Sequence, residues 1–125
     1  MAKVTGLGGI FYKVEDAERT KRWYQETLGV GGEWGIMFPW KAGNAEAYSL
    51  LSPFEATSDY FDPSSARFMI NLRVDDLDSM IGELKAKGVE ILGTQSEEYG
   101  KFAWILDCDG IKVELWEQVG PAPEA

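Results

Sequence analysis

The apolar and polar positions of this chain form one pattern that is used twice. Leu7 to Val14 alternates weakly and ends at the charged pair Glu15–Asp16, which predicts a strand. Asp16 then suits a helix N-cap, with Ala17, Thr20, Trp23, Tyr24 and Leu28 at helical spacing and Gly29 as the stop. Short β-prone pieces follow, Gly35 to Trp40 and Glu46 to Leu51, with Lys41-Ala42-Gly43-Asn44 as a hairpin turn between them. Ser52 to Ser65, with Pro53 and Pro63, reads as a connection. Phe68 to Val74 predicts a second opening strand, and Asp76 a second cap. Leu77, Met80, Ile81 and Leu84 form that helix's apolar face, and Gly88 ends it. Val89 to Leu92, Phe102 to Leu106 and Ile111 to Trp116 predict three further strands, the last two joined by the turn Asp107-Cys108-Asp109-Gly110.

The two halves share their punctuation. Ile10, Val14 and Asp16 recur as Ile70, Val74 and Asp76, and Gly29-Val30 as Gly88-Val89. One supersecondary unit repeated in this way predicts an α+β fold, with two βαβββ-type modules forming a cupped mixed sheet. Module one spans about 6–52, the linker about 53–66 and module two about 67–118, within a single domain of residues 1–125. Each helix would cover one face of the sheet, leaving the other free to curl around a ligand.

Composition narrows the partners. A chain of 125 residues with 45% hydrophobic residues suits one globular domain and excludes a disordered acidic chain. No apolar run is long enough to span a bilayer, and Met1-Ala2-Lys3-Val4 starts no signal peptide, so a cytoplasmic protein is expected. Cys108, the single cysteine, can form no internal disulfide and fits a reducing compartment. The formal charge of -9 repels nucleic acid and anionic membrane and would concentrate cationic ligands near the surface, or serve solubility alone.

Several motifs then converge. Val14-Glu15-Asp16 with Trp23-Tyr24 and Leu28-Gly29 is matched by Val74-Asp75-Asp76 with Gly88-Val89. Tyr99-Gly100-Lys101 leads into Asp107-Cys108-Asp109-Gly110-Ile111-Lys112-Val113-Glu114-Leu115. In this order the chain, from about Gly6 to Glu117, resembles the vicinal oxygen chelate superfamily of glyoxalase I, extradiol dioxygenases and bleomycin-resistance proteins. Cys108 stands where the usual proline would be, and Ile111 where an asparagine is common in the turn. The resemblance implies the cupped fold, a homodimer, and four metal-ligand positions. Two of these, usually His, fall on Gly9 and Met69; a third falls near Tyr48–Ser49, and only the last survives, as Glu114. Glycine has no donor, a thioether suits hard ions poorly, and one carboxylate cannot hold a catalytic divalent ion. With no histidine in the chain, a 2-His-1-carboxylate iron site is excluded too. Neither a metal nor another cofactor is therefore expected.

Glu114 has two readings: a solvated or hydrogen-bonded relic, or an anion that binds an ammonium or acts as a base once burial raises its pKa. Of the aromatic residues, Trp23 and Tyr24 are expected in the core. Strand parity puts Gly9, Phe11 and Lys13 on one face, with Met69, Asn71 and Arg73, and with Lys112, Glu114 and Trp116. A groove of aromatic faces and a carboxylate suits planar or cationic ligands. Nucleophilic catalysis finds no support, because no histidine activates a Ser or Cys, and Gly6-Leu7-Gly8-Gly9 lacks the helix of a phosphate loop. The bleomycin-resistance branch binds drugs without metal chemistry. By analogy the expected function is a metal-independent small-molecule binding protein that sequesters or carries its ligand, with contacts from Phe11, Asn71, Trp104, Glu114 and Trp116. The alternative is a glyoxalase- or dioxygenase-related lyase or isomerase with a rebuilt site around Glu114, whose catalytic residues stay unassigned. A third reading is a structural domain whose cup is filled by its own side chains.

Overall fold

A computed structural model of the chain describes residues 1–32, 35–39 and 47–121. Its elements run β1 (Val4–Val14), α1 (Ala17–Leu28), β2 (Ile36–Pro39), β3 (Tyr48–Glu55), β4 (Phe68–Val74), α2 (Leu77–Ala86), β5 (Gly93–Glu97), β6 (Gly100–Leu106) and β7 (Lys112–Gln118). The seven strands form one mixed sheet in the order β2-β3-β1-β4-β7-β6-β5, so the architecture is α+β. In each half the opening strand pairs in parallel with the closing strand, β1 with β3 and β4 with β7. The halves join where β1 lies antiparallel to β4.

Both helices start and stop for local reasons. The Asp16 side chain accepts from Arg19 N at 3.1 Å, and Asp76 accepts from Ser79 N at 3.1 Å and Ser79 Oγ at 2.9 Å. Gly29, at φ 71°, turns the chain out of α1, with its N–H on Gln25 O and Val30 N–H on Tyr24 O. In the turn before β7, Asp107 Oδ1 accepts from Asp109 N and Ile111 N, both at 2.9 Å. That one side chain holds the turn, which explains why Ile111 is tolerated there.

Three expectations need correction. The first connection does not begin at Ser52, because β3 continues to Glu55. Pro53 fits because β2 pairs only as far as Leu51, so a missing N–H on that side breaks no bond. Val89 to Leu92 is not a strand: Val89 N closes the helix end on Leu84 O at 2.9 Å and Ile91 packs beneath α2, while the edge strand is the polar Gly93–Glu97. Trp23, expected in the core with Tyr24, is 53% exposed, and Tyr24 is half-buried. Helix α1 instead buries Ala17, and Trp23 packs edge-on against Tyr24 at 5.2 Å. The expected hairpin turn Lys41–Asn44, together with Trp34, Trp40 and Glu46, lies outside the described residues.

The core has two sides. On the convex face, α2 packs Leu77, Met80, Ile81 and Leu84 onto Val74, Ala103, Val113 and Leu115. On the concave face, Phe11, Phe61 and Met69 cluster with Leu50, Phe54, Tyr60 and Trp104, beside a second group of Met37, Tyr48 and Trp116. Phe61 comes from the connection between the halves and is fully buried. Removing such a side chain from water contributes about 1.5–3 kcal/mol, so this segment is fastened into the cup rather than draped over it. No helix among the described residues is long and apolar enough to cross a membrane.

Candidate functional site

The sheet register assembles the concave site. Asn71 on β4 lies opposite Glu114 on β7, and Arg73 opposite Trp116. On the other side of β7, Trp104 of β6 lies opposite Glu114 and Phe102 opposite Trp116. Parity therefore delivers a carboxylate, an amide and an indole to one point on the cup.

Glu114 is only 2% exposed. Its Oε1 accepts from Asn71 Nδ2 at 2.6 Å, and its Oε2 accepts from Trp104 Nε1 at 2.8 Å and from the Tyr60 hydroxyl. Burial pushes the carboxyl above the usual glutamate range, opposed by the bonds from Tyr60, Trp104 and Asn71 and by the charge of Lys112. Burial and the adjacent Glu114 likewise hold the Tyr60 phenol well above its ordinary value, so it remains a donor. A lone buried carboxylate would be costly; this one is satisfied on both oxygens.

Cations line the rest of the face. Lys112 Nζ donates to Tyr60 O at 2.6 Å and lies 5.2 Å from the Tyr60 ring centre and 5.5 Å from that of Trp104. Burial lowers its pKa, with Glu114, Asp62 and Asp59 acting in opposition. Arg73 donates to Tyr48 O at 3.1 Å and Gln118 Oε1 at 2.6 Å, with its guanidinium 4.6 Å over Trp116. Phe102 links the two indoles, nearly parallel to both, at 6.5 Å from Trp104 and 6.3 Å from Trp116.

Of the five residues expected to contact a ligand, Asn71, Trp104 and Glu114 share one hydrogen-bonded group. Trp116 lies one ring further along, buried against Tyr48 at 5.0 Å. Phe11 belongs to the neighbouring aromatic cluster and packs on Phe54 at 5.3 Å. Tyr60 was missed, because it sits in the expected linker with no periodicity to mark it. The adjacent aromatics Tyr60-Phe61 in a long connection were the available signal, since such residues are seldom left in water. The register keeps Gly9 opposite Asn71, as parity expects. A bulge between Leu7 and Gly9 also turns Gly8 toward Asn71 and Trp116, and a side chain on Gly9 would run into Leu50.

A divalent ion does not fit this donor set. Among the described residues no three His, Cys, Asp or Glu side chains come together. Both Glu114 oxygens face N–H and O–H hydrogens, and Met69 is fully buried in the aromatic cluster. Glu114 thus already holds three donors, and the charge of Lys112 acts on it.

The family profile of the Glyoxalase/Bleomycin resistance protein/Dioxygenase superfamily matches residues 6–115. A comparison with the curated proteins returns no match. Among solved structures, Streptomyces coelicolor methylmalonyl-CoA epimerase in complex with 2-nitronate-propionyl-CoA is similar at a TM-score of 0.72 and 18% identity, covering 98% of this chain and 100% of that one. Mycobacterium tuberculosis methylmalonyl-CoA epimerase is similar at a TM-score of 0.63 and 26% identity, covering 96% and 90%. The Mn(II)-bound glyoxalase from Novosphingobium aromaticivorans reaches a TM-score of 0.66 at 18% identity, covering 100% of this chain and 42% of that one.

Proposed function

Because the chain belongs to the Glyoxalase/Bleomycin resistance protein/Dioxygenase superfamily, yet its cup presents a donor set unsuited to a metal, we propose that it is a metal-independent small-molecule binding protein. It sequesters or carries a planar organic ligand against the half-buried rings of Tyr60, Phe102 and Trp104. The observation that carries this reading is the saturation of Glu114 by Asn71, Tyr60 and Trp104. A carboxylate so engaged fixes the aromatic wall instead of coordinating an ion.

Titration with planar aromatic compounds, followed by tryptophan fluorescence, tests it. Saturable quenching that persists in EDTA and is diminished in Trp104→Phe is expected. Affinity that appears only on adding a divalent metal would overturn it.

One observation favours the enzymatic alternative, a lyase or isomerase built around Glu114. A buried carboxyl whose pKa burial raises, bonded to a tyrosine hydroxyl, is suited to moving a proton, and the similar solved structures named above are epimerases and a glyoxalase. Protein-dependent deuterium uptake into a bound ligand, abolished by Glu114→Gln, would select this reading over simple binding.

The same proposal takes the protein to be a homodimer. Exposed Leu7, Ile10 and Phe38 share an apolar groove with Leu51 on the outer face of β1, β2 and β3. Sedimentation at twice the chain mass of 13.9 kDa is expected, reverting to the monomer in Ile10→Lys.

A further inference from the structure

The charges on the concave face run against those of the molecule. The chain has 21 acidic residues against 12 basic ones, so carboxylates are abundant as partners for any lysine. The ion pairs that form among the described residues, Lys21–Glu18 at 2.9 Å and Lys101–Asp78 at 3.3 Å, both lie elsewhere, and each carboxylate is well exposed. Lys112, at 9% exposed, is the more costly cation to leave without a counter-ion, yet among the described residues none lies within ion-pair distance. One of its three N–H groups reaches the Tyr60 carbonyl, the rings of Tyr60 and Trp104 lie beside it, and the charges of Glu114, Asp62 and Asp59 act on it from beyond ion-pair distance. Lys13, from β1, lies 5.4 Å over the ring of Phe61, again on an aromatic face and without an ion pair among the described residues. The one buried carboxylate nearby, Glu114, is taken up by Asn71, Tyr60 and Trp104.

We infer that the ligand of the cup bears an anionic group, a carboxylate or a phosphate, which pairs with Lys112 at the Tyr60–Phe61 end while Lys13 adds its charge from β1. Rings hold a lysine in a partly dry site without neutralising it, so an incoming anion meets a preset donor and loses little to reorganisation. Net charge opposes such a ligand at long range, which makes the local cation the source of selectivity. This rests on the binding function proposed above and adds the sign of the ligand's charge to it.

The experiment compares four probes sharing one ring system: 2-naphthoate, 2-naphthyl phosphate, 2-naphthol and a 2-naphthylmethylammonium salt, titrated into the full chain by tryptophan quenching. The anions should bind roughly tenfold or more tighter than naphthol, with the ammonium weakest. The naphthoate and naphthyl phosphate arms decide which oxyanion fits. Lys112→Met should erase the difference between anion and naphthol, and Lys112→Arg should restore part of it. Equal affinities for naphthoate and naphthol in the native chain would overturn the inference while leaving the binding function standing. No response to any of the four would overturn both. Should Lys112→Met lose its far-UV circular dichroism, Lys13→Met and the salt dependence replace it. The anion advantage should then shrink in Lys13→Met and as sodium chloride is raised, and an advantage insensitive to both would count against the inference.

Discussion

Glu114 receives three donors of different kinds, and each leaves a different defect when removed. Tyr60→Phe deletes a hydroxyl and keeps the ring, so Oε2 retains only the Trp104 indole. The expected cost is about 1–3 kcal/mol by urea denaturation, because a buried charged acceptor loses a donor that nothing replaces. Gly8→Ala acts at one remove. Its new methyl would overlap Asn71 Oδ1 and come within 3.1 Å of Trp116, forcing the Asn71 amide off Glu114. A loss of similar size, about 1–3 kcal/mol, is expected by the same measurement. These residues also mark the limits of reading the site from sequence. Asn71, Trp104 and Glu114 were legible because alternate strand residues share a face. Tyr60 was not, since a connection can cross into a cup wherever an aromatic pair finds room. Gly8 was not, since a bulge shifts parity without leaving a mark in the hydrophobic pattern.

At the scale of elements, the repeat predicted both helices down to their capping residues, Asp16 and Asp76, because caps are read from a single side chain. It misplaced the strand after α2. The apolar stretch there serves the helix's packing, while the edge strand it precedes can be polar because one of its sides faces water. Within α2, Gly82 contributes no turn, and a Cβ added there would meet none of the described residues within 4 Å. Gly82→Ala should therefore raise stability by about 0.5–1 kcal/mol, seen as a higher midpoint in thermal unfolding. Gly100 is the counter-example: a Cβ there would sit 2.5 Å from Trp116 Nε1, so Gly100→Ala should lower that midpoint.

For the whole molecule, two carboxyls pull the pH dependence in opposite directions. Glu114 ionises at the ordinary value of 4.5 when unfolded but later when folded. Over that interval the unfolded chain holds fewer protons, so this stabilisation is complete below 4.5 and is lost as pH rises through the folded value. The bonds from Ser79 keep Asp76 below its ordinary 3.8, so its contribution is present above 3.8 and is lost as pH falls through the folded value. Urea midpoints measured across pH 3 to 8 should show Glu114→Gln flattening the decline above 4.5, and Asp76→Asn flattening the decline on the acid side.

The bond from Trp104 Nε1 to Glu114 gives the protein a built-in optical gauge. An indole that donates to a charged oxygen emits differently from one that donates to a neutral acid. The difference spectrum between the native chain and Trp104→Phe should therefore follow the titration of one buried proton, with no label attached. A ligand that disturbs Tyr60 or Lys112 would move that curve along the pH axis. Added negative charge and a lost hydrogen bond would both move it to higher pH, since each disfavours the ionised carboxyl.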